Sequence, residues 1–443
     1  MTTISGWGRH PVVETDIVAP RVPDDVRRAT SQTEGGVARG NGRAYGDAAI
    51  GARRTIDIRA LDRIRAFDAR TGLLTIEAGA LLADLVTTFG PRGFFPVVVP
   101  GTKFVTVGGM IAADVHGKNH HRDGSFGDYV ESLALVVASG ELVRTSRDAS
   151  PEVFAATIGG MGLTGTILEA TLRLRPVETG WIWQRTIVAP NLAAAIDALD
   201  QGDSAMYSVA WIDSVAKGSK LGRSLVFLGE HARLDELPDR GVANRFPKVR
   251  PSHLTVPIDL PSFVLSRCNI RVFNELYFNL GARQAGHPFL VPADSFFFPL
   301  DGIGAWNRIY GRRGFVQHQC VLPIAAASDA LAEMLGRVVA RGDASFLAVL
   351  KKLGPSNGLL SFPLPGYTLA LDFPVTRDLP GFLDELDRLV VAAGGRLYLA
   401  KDARQSRATF EAGYPALQRF RDVRRSVDPT GRVRSVMAER LGI

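Results

Sequence analysis

The chain has 443 residues, of which 46% are hydrophobic and 22% are charged. This composition is typical of a globular protein, and the length favours two domains or one elaborate α/β unit. Two cysteines exclude a disulfide scaffold and a cysteine-rich metal site, and two buried free thiols are expected. The net charge of +7 would suit anionic partners, but the basic residues are dispersed, so nucleic-acid binding is not predicted.

The N-terminal segment MTTISGWGRH contains no apolar stretch of signal-peptide length. No other stretch approaches the roughly 18 apolar residues that a membrane span requires. We therefore expect either a soluble protein or one that binds a membrane peripherally.

The first 180 residues predict a glycine-punctuated α+β domain. Short strands are predicted over 53–59 and 73–79, and a helix over 80–90. A hairpin over 133–146 turns at Ser139-Gly140, and a helix opened by Pro151 precedes a strand over 164–176.

Beyond residue 180 the pattern indicates a mostly antiparallel sheet covered by helices. The predicted strands are 204–213, 269–279, 314–323, 345–354 and 367–375, and the helices are 327–342 and 379–395. Irregular stretches at about 229–268 and 281–304 are expected to be functional or disordered. The second contains HPFLVPADSFFFPLDG, whose apolar residues look exposed. The segment RLYLAKDAR (396–404) suggests a return to the first domain or to the domain interface, where pockets form.

Two glycine-rich loops carry the strongest functional signal. The first is ARGNGRAYGD (Ala38 to Asp47), and the second is PGTKFVTVGGMIAADVHGKNHH (Pro100 to His121). Glycine lets a backbone approach a ligand closely, and successive amides can bind anionic oxygens. The first loop alone could be a surface turn. A third cluster, GGMGLTG (Gly159 to Gly165), makes an extended phosphate-bearing cofactor the better interpretation.

The commonest nucleotide motifs do not match. Gly40, Gly42 and Gly46 form G-x-G-x-x-x-G, which is not the dinucleotide spacing, and no helix is predicted to start within the loop. No G-K-[ST] follows, which excludes a Walker loop, and G-x-S-x-G is absent, which excludes a nucleophile elbow.

The segment HGKNHH (His116 to His121) raises the question of a metal site. His116 and His120 are four residues apart, but no nearby carboxylate or cysteine completes a ligand set, so no metal is predicted. A cationic floor for a flavin or an anionic substrate fits better, with Lys118 suited to a phosphate. Proton-handling candidates are Tyr45, His116, Lys118 and Lys401, although Tyr45 could simply cap its loop and Lys401 could pair with Asp402 at the surface.

These segments, with SFGDYV, SFPLPGY and GGRLYLAKDAR, resemble the decaprenylphosphoryl-β-D-ribose 2′-oxidases of actinobacteria, the flavin subunits of a ribose-to-arabinose epimerisation system. The resemblance runs from Gly6 to the C-terminal DPTGRVRSVMAERL. The HGKNHH and AKD segments are specific to this family, whereas the glycine loops alone indicate only the wider vanillyl-alcohol-oxidase-like flavoproteins. The resemblance implies an α+β, two-domain vanillyl-alcohol-oxidase/PCMH-type fold. An FAD domain would comprise residues 1–179 and 396–443, and an antiparallel-sheet substrate domain residues 180–395.

The resemblance also implies noncovalent FAD, because Arg43 stands where some sugar-oxidising relatives carry a flavin-bonding histidine. The implied cofactor-binding residues are Ala38, Arg39, Gly40, Asn41, Gly42, Arg43, Ala44, Tyr45, Gly46, Asp47, Ala48, Gly101, Thr106, Val107, Gly108, Gly109, Ala113, Asp114, Val115, His116, Ile167 and Tyr398.

The implied reaction is oxidation of the ribose 2′-hydroxyl to a ketone, in which a hydride passes to the flavin and a base takes the proton. Tyr45 and Lys401 are the expected catalytic pair, with a neighbouring cation lowering the pKa of the tyrosine. Lys118 and Lys351 are expected to bind the carrier phosphate. Gln317 would orient sugar hydroxyls, and Trp211 would pack against sugar or lipid.

The resemblance further implies a polyprenyl-phosphate ribose substrate, an NAD-dependent keto-reductase partner and a quinone acceptor, with oxygen as the alternative. It implies a location in the cell envelope, on the periplasmic side of the membrane. Because no export signal is visible, a cytoplasmic location is the alternative. HPFLVPADSFFFPL is expected to provide peripheral membrane contact. The strand YTLALDFPV carries Ala370 where some family members have a cysteine. The alternatives are a flavin oxidase of a soluble sugar, aldonolactone or alditol, and a non-catalytic flavoprotein.

Overall fold

The computed structural model describes residues 1–32, 34–247, 254–342 and 345–443, so part of the irregular stretch predicted at about 229–268 lies outside the described residues. In chain order, the strands of the described residues are β1 Thr2–Ser5, β2 Val12–Val18, β3 Gly36–Arg39, β4 Arg54–Asp57, β5 Ile64–Asp68, β6 Leu73–Glu77, β7 Phe94–Pro96, β8 Val130–Val136, β9 Leu142–Ser146, β10 Thr166–Pro176, β11 Trp181–Ala189, β12 Tyr207–Ile212, β13 Ser224–His231, β14 Leu254–Thr255, β15 Phe289–Pro292, β16 Ile303–Gly304, β17 Phe315–Pro323, β18 Ala348–Leu353, β19 Gly366–Pro374 and β20 Arg396–Leu397.

The helices of the same residues are α1 Pro23–Gln32, α2 Leu82–Phe89, α3 Val107–Ala112, α4 His120–Asp123, α5 Pro151–Thr157, α6 Leu192–Gln201, α7 Asp239–Val242, α8 Arg267–Ala282, α9 Ala293–Phe297, α10 Ile324–Arg341, α11 Leu379–Ala392, α12 Arg407–Gly413, α13 Leu417–Val427 and α14 Val436–Leu441.

Two sheets form the N-terminal part. The first has the order β1-β2-β4-β3, with β4 parallel to both β2 and β3. The second has the order β5-β6-β10-β8-β9, with β7 paired to β10, and its pairs are antiparallel. Alternate residues of β10, from Leu168 to Leu174, are buried, as expected for a strand with one face on a core. This core also buries Met110 and Ile111 of α3, which positions the second glycine loop.

An antiparallel sheet of eight strands follows, in the order β15-β11-β13-β12-β18-β19-β17-β20. Helices α6, α10 and α11 cover one face, where their leucines form a hydrophobic cluster with Leu350, Leu369 and Leu371. Because successive side chains of a strand point to opposite faces, the residues between these leucines belong to the other face. We call it the polar face. It carries Trp211, Gln317, Gln319, Val349, Lys351, Thr368, Ala370 and Asp372.

The chain ends rejoin the N-terminal part. After β20 pairs with β17, the backbone forms isolated bridges between Gly36 and Val433 and between Gly51 and Ser435. Phe410, Phe420 and Met437 are buried in one cluster with residues of the third glycine-rich segment. This arrangement supports the predicted division into residues 1–179 with 396–443 and residues 180–395, which we retain as a proposal.

Three sequence predictions are wrong. The segment 269–279, predicted as a strand, belongs to α8, which Ser266 caps by accepting a hydrogen bond from the Asn269 amide. Three of the four phenylalanines of HPFLVPADSFFFPL, Phe296 to Phe298, are buried rather than exposed, in the core that also holds Phe95 and Tyr207. Cys268 is exposed, although Cys320 is buried, and both thiols are free.

Candidate active site

Three segments distant in sequence meet at the polar face: the first glycine loop, the second glycine loop and the AKD segment (Ala400–Asp402). A Cβ on Gly40 would lie 2.0 Å from the Thr106 hydroxyl oxygen, and a Cβ on Gly46 would lie 2.0 Å from the Asp402 carbonyl oxygen. The Tyr45 amide also donates to the Ala400 carbonyl at 2.9 Å. Glycine is therefore required at these two positions because other segments occupy the space of a side chain.

Hydrogen bonds hold the first loop in one conformation. The Arg39 guanidinium donates to the Ser5 carbonyl at 2.7 Å, and the Asn41 amide group donates to the Phe104 carbonyl at 2.9 Å. Arg440 donates to both Asp47 and Asp402 at 2.9 Å. The carboxylate of Asp402 is thus bound by Arg440, and Lys401 is free to face the site.

The second loop turns around a short helix. Thr106 caps α3 by accepting a hydrogen bond from the Gly109 amide at 3.2 Å. Asp114 follows with a left-handed backbone, and its carboxylate accepts from the Gly127 amide at 2.9 Å and from the Ser361 hydroxyl at 2.5 Å. Burial raises the pKa of Asp114 to about 6. This carboxylate ties the second loop to a segment of the substrate part.

His116 is a buried, neutral imidazole. Burial, followed by the charge of Lys351, lowers the pKa of His116 well below its usual range. The Gln319 amide group donates to His116 Nε2 at 3.0 Å, so that Nδ1 carries the proton. His116 Nδ1 is buried and has no partner in the described part of the chain.

The site fits the cofactor that the sequence predicts. Arg43 Nε and His116 Nδ1, both in predicted cofactor-binding residues, are buried donors with no partner among the residues that the structure describes, as expected for groups that bond a ligand. The Tyr398 hydroxyl donates to the Ala113 carbonyl at 3.0 Å, which brings the segment after β20 to the second loop. Ile167 lies in β10, in the same hydrophobic cluster as Val107 and Val115. The remaining predicted residues lie in the two glycine loops themselves.

Three lysines lie on separate segments, and one of them, Lys351, acts electrostatically on the other two. Burial lowers the pKa of Lys118 to about 7, of Lys351 to about 8 and of Lys401 to about 7. The charge of Lys351 contributes to the lowered pKa of the other two lysines. The Lys118 ammonium also donates to the Phe296 carbonyl, and its Nζ lies 4.2 Å from the centre of the Phe296 ring. Such a cluster is suited to an anionic group.

Lys401 lies over the ring of Tyr45, 3.5 Å from its centre. Burial and the nearby Asp372 carboxylate raise the pKa of Tyr45 well above its usual range, and they outweigh the Arg43 cation, which lowers the pKa as expected. The Lys401 cation contacts the ring face, and burial disfavours the phenolate. Tyr45 is therefore a neutral hydroxyl at physiological pH.

Asp372, which is fully buried on β19, is a site residue that the sequence did not predict. Its carboxylate accepts from the Gln317 side chain at 2.6 Å and from the Tyr310 hydroxyl at 3.2 Å. Burial raises the pKa of Asp372 to about 7, and the Lys401 cation opposes that change. The available signal was a single acidic residue within the apolar strand YTLALDFPV. Gln317, which was predicted, thus lies between this carboxylate and Tyr45.

Trp211 and Ala370 lie farther along the polar face. Trp211 pairs with Val349, which pairs in turn with Ala370, and Ala370 pairs with Gln319 on its other side. The Trp211 ring also packs 4.8 Å from that of Tyr277 in α8. Trp211 is therefore one strand away from Lys351 and next to the helix that closes this side of the sheet.

No group of three His, Cys, Asp or Glu side chains that could hold a metal ion occurs within the described ranges. His120 instead contacts the Ser125 hydroxyl at 2.9 Å and accepts from the Gly354 amide at 2.9 Å. No helix of these ranges is long and apolar enough to cross a bilayer.

The two loops, the neutral imidazole and the polar sheet face define the class of protein. The chain matches the family model described as FAD binding domain over residues 17–146, and the model described as D-arabinono-1,4-lactone oxidase over residues 374–441. It is an FAD-dependent oxidoreductase with the two-domain vanillyl-alcohol-oxidase/PCMH-type fold.

Comparison with individual proteins identifies the family more closely. The chain is 40% identical to decaprenylphosphoryl-beta-D-ribose oxidase of Mycolicibacterium smegmatis, over 99% of this chain and 97% of that one. It therefore belongs to the decaprenylphosphoryl-β-D-ribose oxidase family. It is 36% identical to an uncharacterised protein of Streptomyces coelicolor, over 82% of this chain and 99% of that one. It is also 29% identical to L-gulonolactone oxidase of Bos taurus over 36% of each chain.

Proposed function

We propose that the chain oxidises the 2′-hydroxyl of decaprenylphosphoryl-β-D-ribose to the ketone, the first step of epimerisation to decaprenylphosphoryl-arabinose for cell-wall arabinan. The observation that carries this proposal is the position of three lysines around the cofactor loops: Lys118 belongs to the second loop, Lys351 lies on the polar face and Lys401 lies over the ring of Tyr45. A phosphate-bearing sugar would bring negative charge to Lys118 and Lys351 and its hydroxyls to Lys401. The name of the Mycolicibacterium relative supplies the substrate.

The two glycine loops, with Ile167 and Tyr398, would hold FAD, which supplies a hydride acceptor when it is bound. Arg43 lies 3.9 Å from the centre of the Trp7 ring and offers no nucleophile to the flavin. The FAD is therefore proposed to be noncovalent. Acid precipitation of the purified protein should release all of the yellow chromophore into the supernatant, and chromophore in the pellet would contradict this.

Lys401 is the proposed acceptor of the hydroxyl proton. Its pKa of about 7 leaves a large fraction of neutral amine at physiological pH, whereas Tyr45 stays protonated. Tyr45 would donate a hydrogen bond that orients the reacting hydroxyl. Gln317, held by Asp372, would position the other sugar hydroxyls, and Trp211 would pack against the sugar or the lipid.

Lys118 and Lys351 are the proposed ligands of the carrier phosphate. A test is to mix the anaerobic protein with farnesylphosphoryl ribose and follow bleaching of the flavin absorption band. Lys351→Ala should raise the substrate concentration for half-maximal bleaching by about tenfold or more, as the loss of one charge-assisted contact implies. Lys352→Ala is the matched control, because Lys352 is adjacent on the strand but pairs with Asp200 and Asp203. Absence of bleaching in the unmodified protein would refute the function itself.

The second candidate is an oxidase of a soluble sugar, aldonolactone or alditol. The match of residues 374–441 to the D-arabinono-1,4-lactone oxidase model favours it. It predicts that aldonolactones bleach the flavin as fast as the lipid-linked ribose does. A marked preference for the phosphorylated lipid substrate would exclude it.

The partners and location are proposed from the family alone: an NAD-dependent keto-reductase, a quinone acceptor and the cell envelope. A quinone should reoxidise the reduced flavin faster than oxygen does in stopped-flow mixing. Equal or slower reoxidation by the quinone would favour oxygen.

A further inference from the structure

Helix α8 presents an apolar surface to solvent. Leu276 and Leu280, one turn apart, are 60% and 58% exposed, and Val272 precedes them by one turn. Phe273 and Tyr277 flank this row and are exposed as well. Exposure of leucine and phenylalanine side chains to water is unfavourable. A contiguous apolar surface of this kind therefore usually marks an interaction site.

The opposite side of α8 is fixed to the protein. Ile270 and Asn274 are buried, and the Asn274 side chain donates to the Asp213 carboxylate at 2.7 Å. Glu275 forms an ion pair with Arg223 at 2.6 Å. These contacts set the rotation of the helix, so the apolar row is held outward.

The surface continues inward to the candidate active site. Phe273 packs 5.4 Å from the ring of Phe346, and Tyr277 packs against Trp211. Phe346 and Leu265 contact both the cluster of Ile270 and the cluster that contains Tyr45. An apolar path therefore joins the outer face of α8 to the side chain that lies under Lys401.

The charge around the surface is positive. Residues 254–291 contain two acidic residues, and both are paired, Asp259 with Arg9 and Arg308 and Glu275 with Arg223. Arg271 on α8 and Arg283 after it are exposed, and no carboxylate pairs with either among the described residues. An apolar row flanked by unpaired arginines is complementary to an anionic lipid surface.

We propose that the outward face of α8, with Arg271 and Arg283, docks the protein on an anionic lipid bilayer. The polyprenyl chain of the substrate would then pass from the bilayer along Phe273 and Phe346 to the site, a step that rests on the proposed function. This surface replaces the segment HPFLVPADSFFFPL as the membrane contact, because Phe296, Phe297 and Phe298 of that segment are buried.

The test uses the FAD-loaded full chain and vesicles, without substrate, so its outcome is independent of the oxidase reaction. Exposed Cys268, at the start of α8, accepts an environment-sensitive fluorophore, while buried Cys320 does not compete. Adding phosphatidylglycerol vesicles should shift the emission to the blue and cause the protein to sediment with them. Phosphatidylcholine vesicles should bind several-fold more weakly, and salt should weaken binding to the anionic vesicles.

Two sets of variants locate the contact. Leu276→Gln with Leu280→Gln should weaken partitioning into anionic vesicles by about tenfold or more, since each leucine loses its burial in lipid. Arg271→Ala with Arg283→Ala should weaken it several-fold and reduce the salt dependence. Ile324→Gln is the control, because Ile324 is a similarly exposed apolar residue at the start of α10. Leu276→Ser alone is a second variant, and an unchanged flavin spectrum reports that each protein is folded.

Three results would overturn the proposal: no binding of the unmodified protein, equal binding by the leucine variants, or equal binding to neutral and anionic vesicles. Dimerisation that the leucine variants abolish, without vesicle binding, would assign the face to a second copy of the chain instead.

Discussion

Lys401 and Asp372 lie in one buried site, and burial changes their pKa values in opposite directions. Burial disfavours each charged form, so the pKa of the lysine falls to about 7 and that of the carboxyl rises to about 7. The attraction between the two charges opposes both changes. The site thereby holds a group that can accept a proton near neutral pH next to a tyrosine that cannot.

Removing the Lys401 amine should abolish turnover without releasing the cofactor. Lys401→Ala is expected to slow flavin reduction by about 10²-fold or more, the usual contribution of a positioned general base. Lys401→Arg should be similarly slow, because a guanidinium stays charged. Anaerobic stopped-flow measurement of the flavin band checks both, and turnover at the unmodified rate would remove Lys401 from the mechanism.

The pH dependence should follow the free amine. Flavin reduction should become faster as the pH rises through about 7, because Lys401 then loses its proton. In Asp372→Asn the inflection should move to lower pH, because the carboxylate raises the pKa of Lys401 and its removal leaves burial unopposed. An inflection at the same pH in both proteins would show that Asp372 does not act on the titrating group.

At the scale of elements, the short strands and the glycine loops depend on close approach between backbones. The polar face exists because strands β17, β18 and β19 alternate between leucines packed on helices and side chains turned toward the cofactor loops. The loops reach this face only because Gly40 and Gly46 leave room for Thr106 and Asp402.

Gly40→Ala should therefore displace the two glycine loops from each other. Its Cβ would lie 2.0 Å from the Thr106 hydroxyl oxygen, and the expected result is loss of most bound FAD, measured as the ratio of flavin to protein absorbance. Gly381→Ala in α11 is the control, since nothing lies within 4 Å of the added atom. Full occupancy of the Gly40→Ala protein by FAD would contradict the assignment of this loop to the cofactor.

The sequence predicted most strands because alternation of apolar and polar residues reports a half-buried sheet. It failed for α8 because NIRVFNELYFN is rich in valine, isoleucine and aromatic residues, which favour strands, whereas the contacts of Ile270 and Asn274 decide for a helix. The burial of Phe296 to Phe298 was missed because it depends on partners such as Phe95 and Tyr207, far away in sequence. Glycine-rich motifs identified the two loops in the sequence. Asp372 belongs to no motif, and its role becomes visible only from its hydrogen bonds with Gln317 and Tyr310.

At the scale of the whole molecule, Arg440 connects two segments that are far apart in sequence. Its guanidinium binds Asp47 of the first loop and Asp402 of the AKD segment, and both carboxylates are almost fully buried. Because Arg440 binds both acids, one side chain helps to position the loop that contacts the cofactor and the segment that carries Lys401.

Arg440→Met should leave two buried carboxylates uncompensated. Removal of one partner from a buried ion pair costs about 3–5 kcal/mol, so the free energy of unfolding should fall by about that amount in denaturant titrations. Arg419→Met breaks an exposed pair with Glu152 that solvent screens, and it should lower the free energy of unfolding far less. Equal losses in the two proteins would show that Arg440 contributes no more than a surface charge.

The position of these contacts bears on protein synthesis. The loop Ala38 to Asp47 is translated long before its two anchors, which are the Ala400 carbonyl that accepts from the Tyr45 amide and the Arg440 side chain that binds Asp47. A nascent chain cannot complete this site until the segment that contains Ala400 and Arg440 has left the ribosome, so FAD uptake follows its emergence. Prematurely terminated chains that lack residues 398–443 should then be colourless.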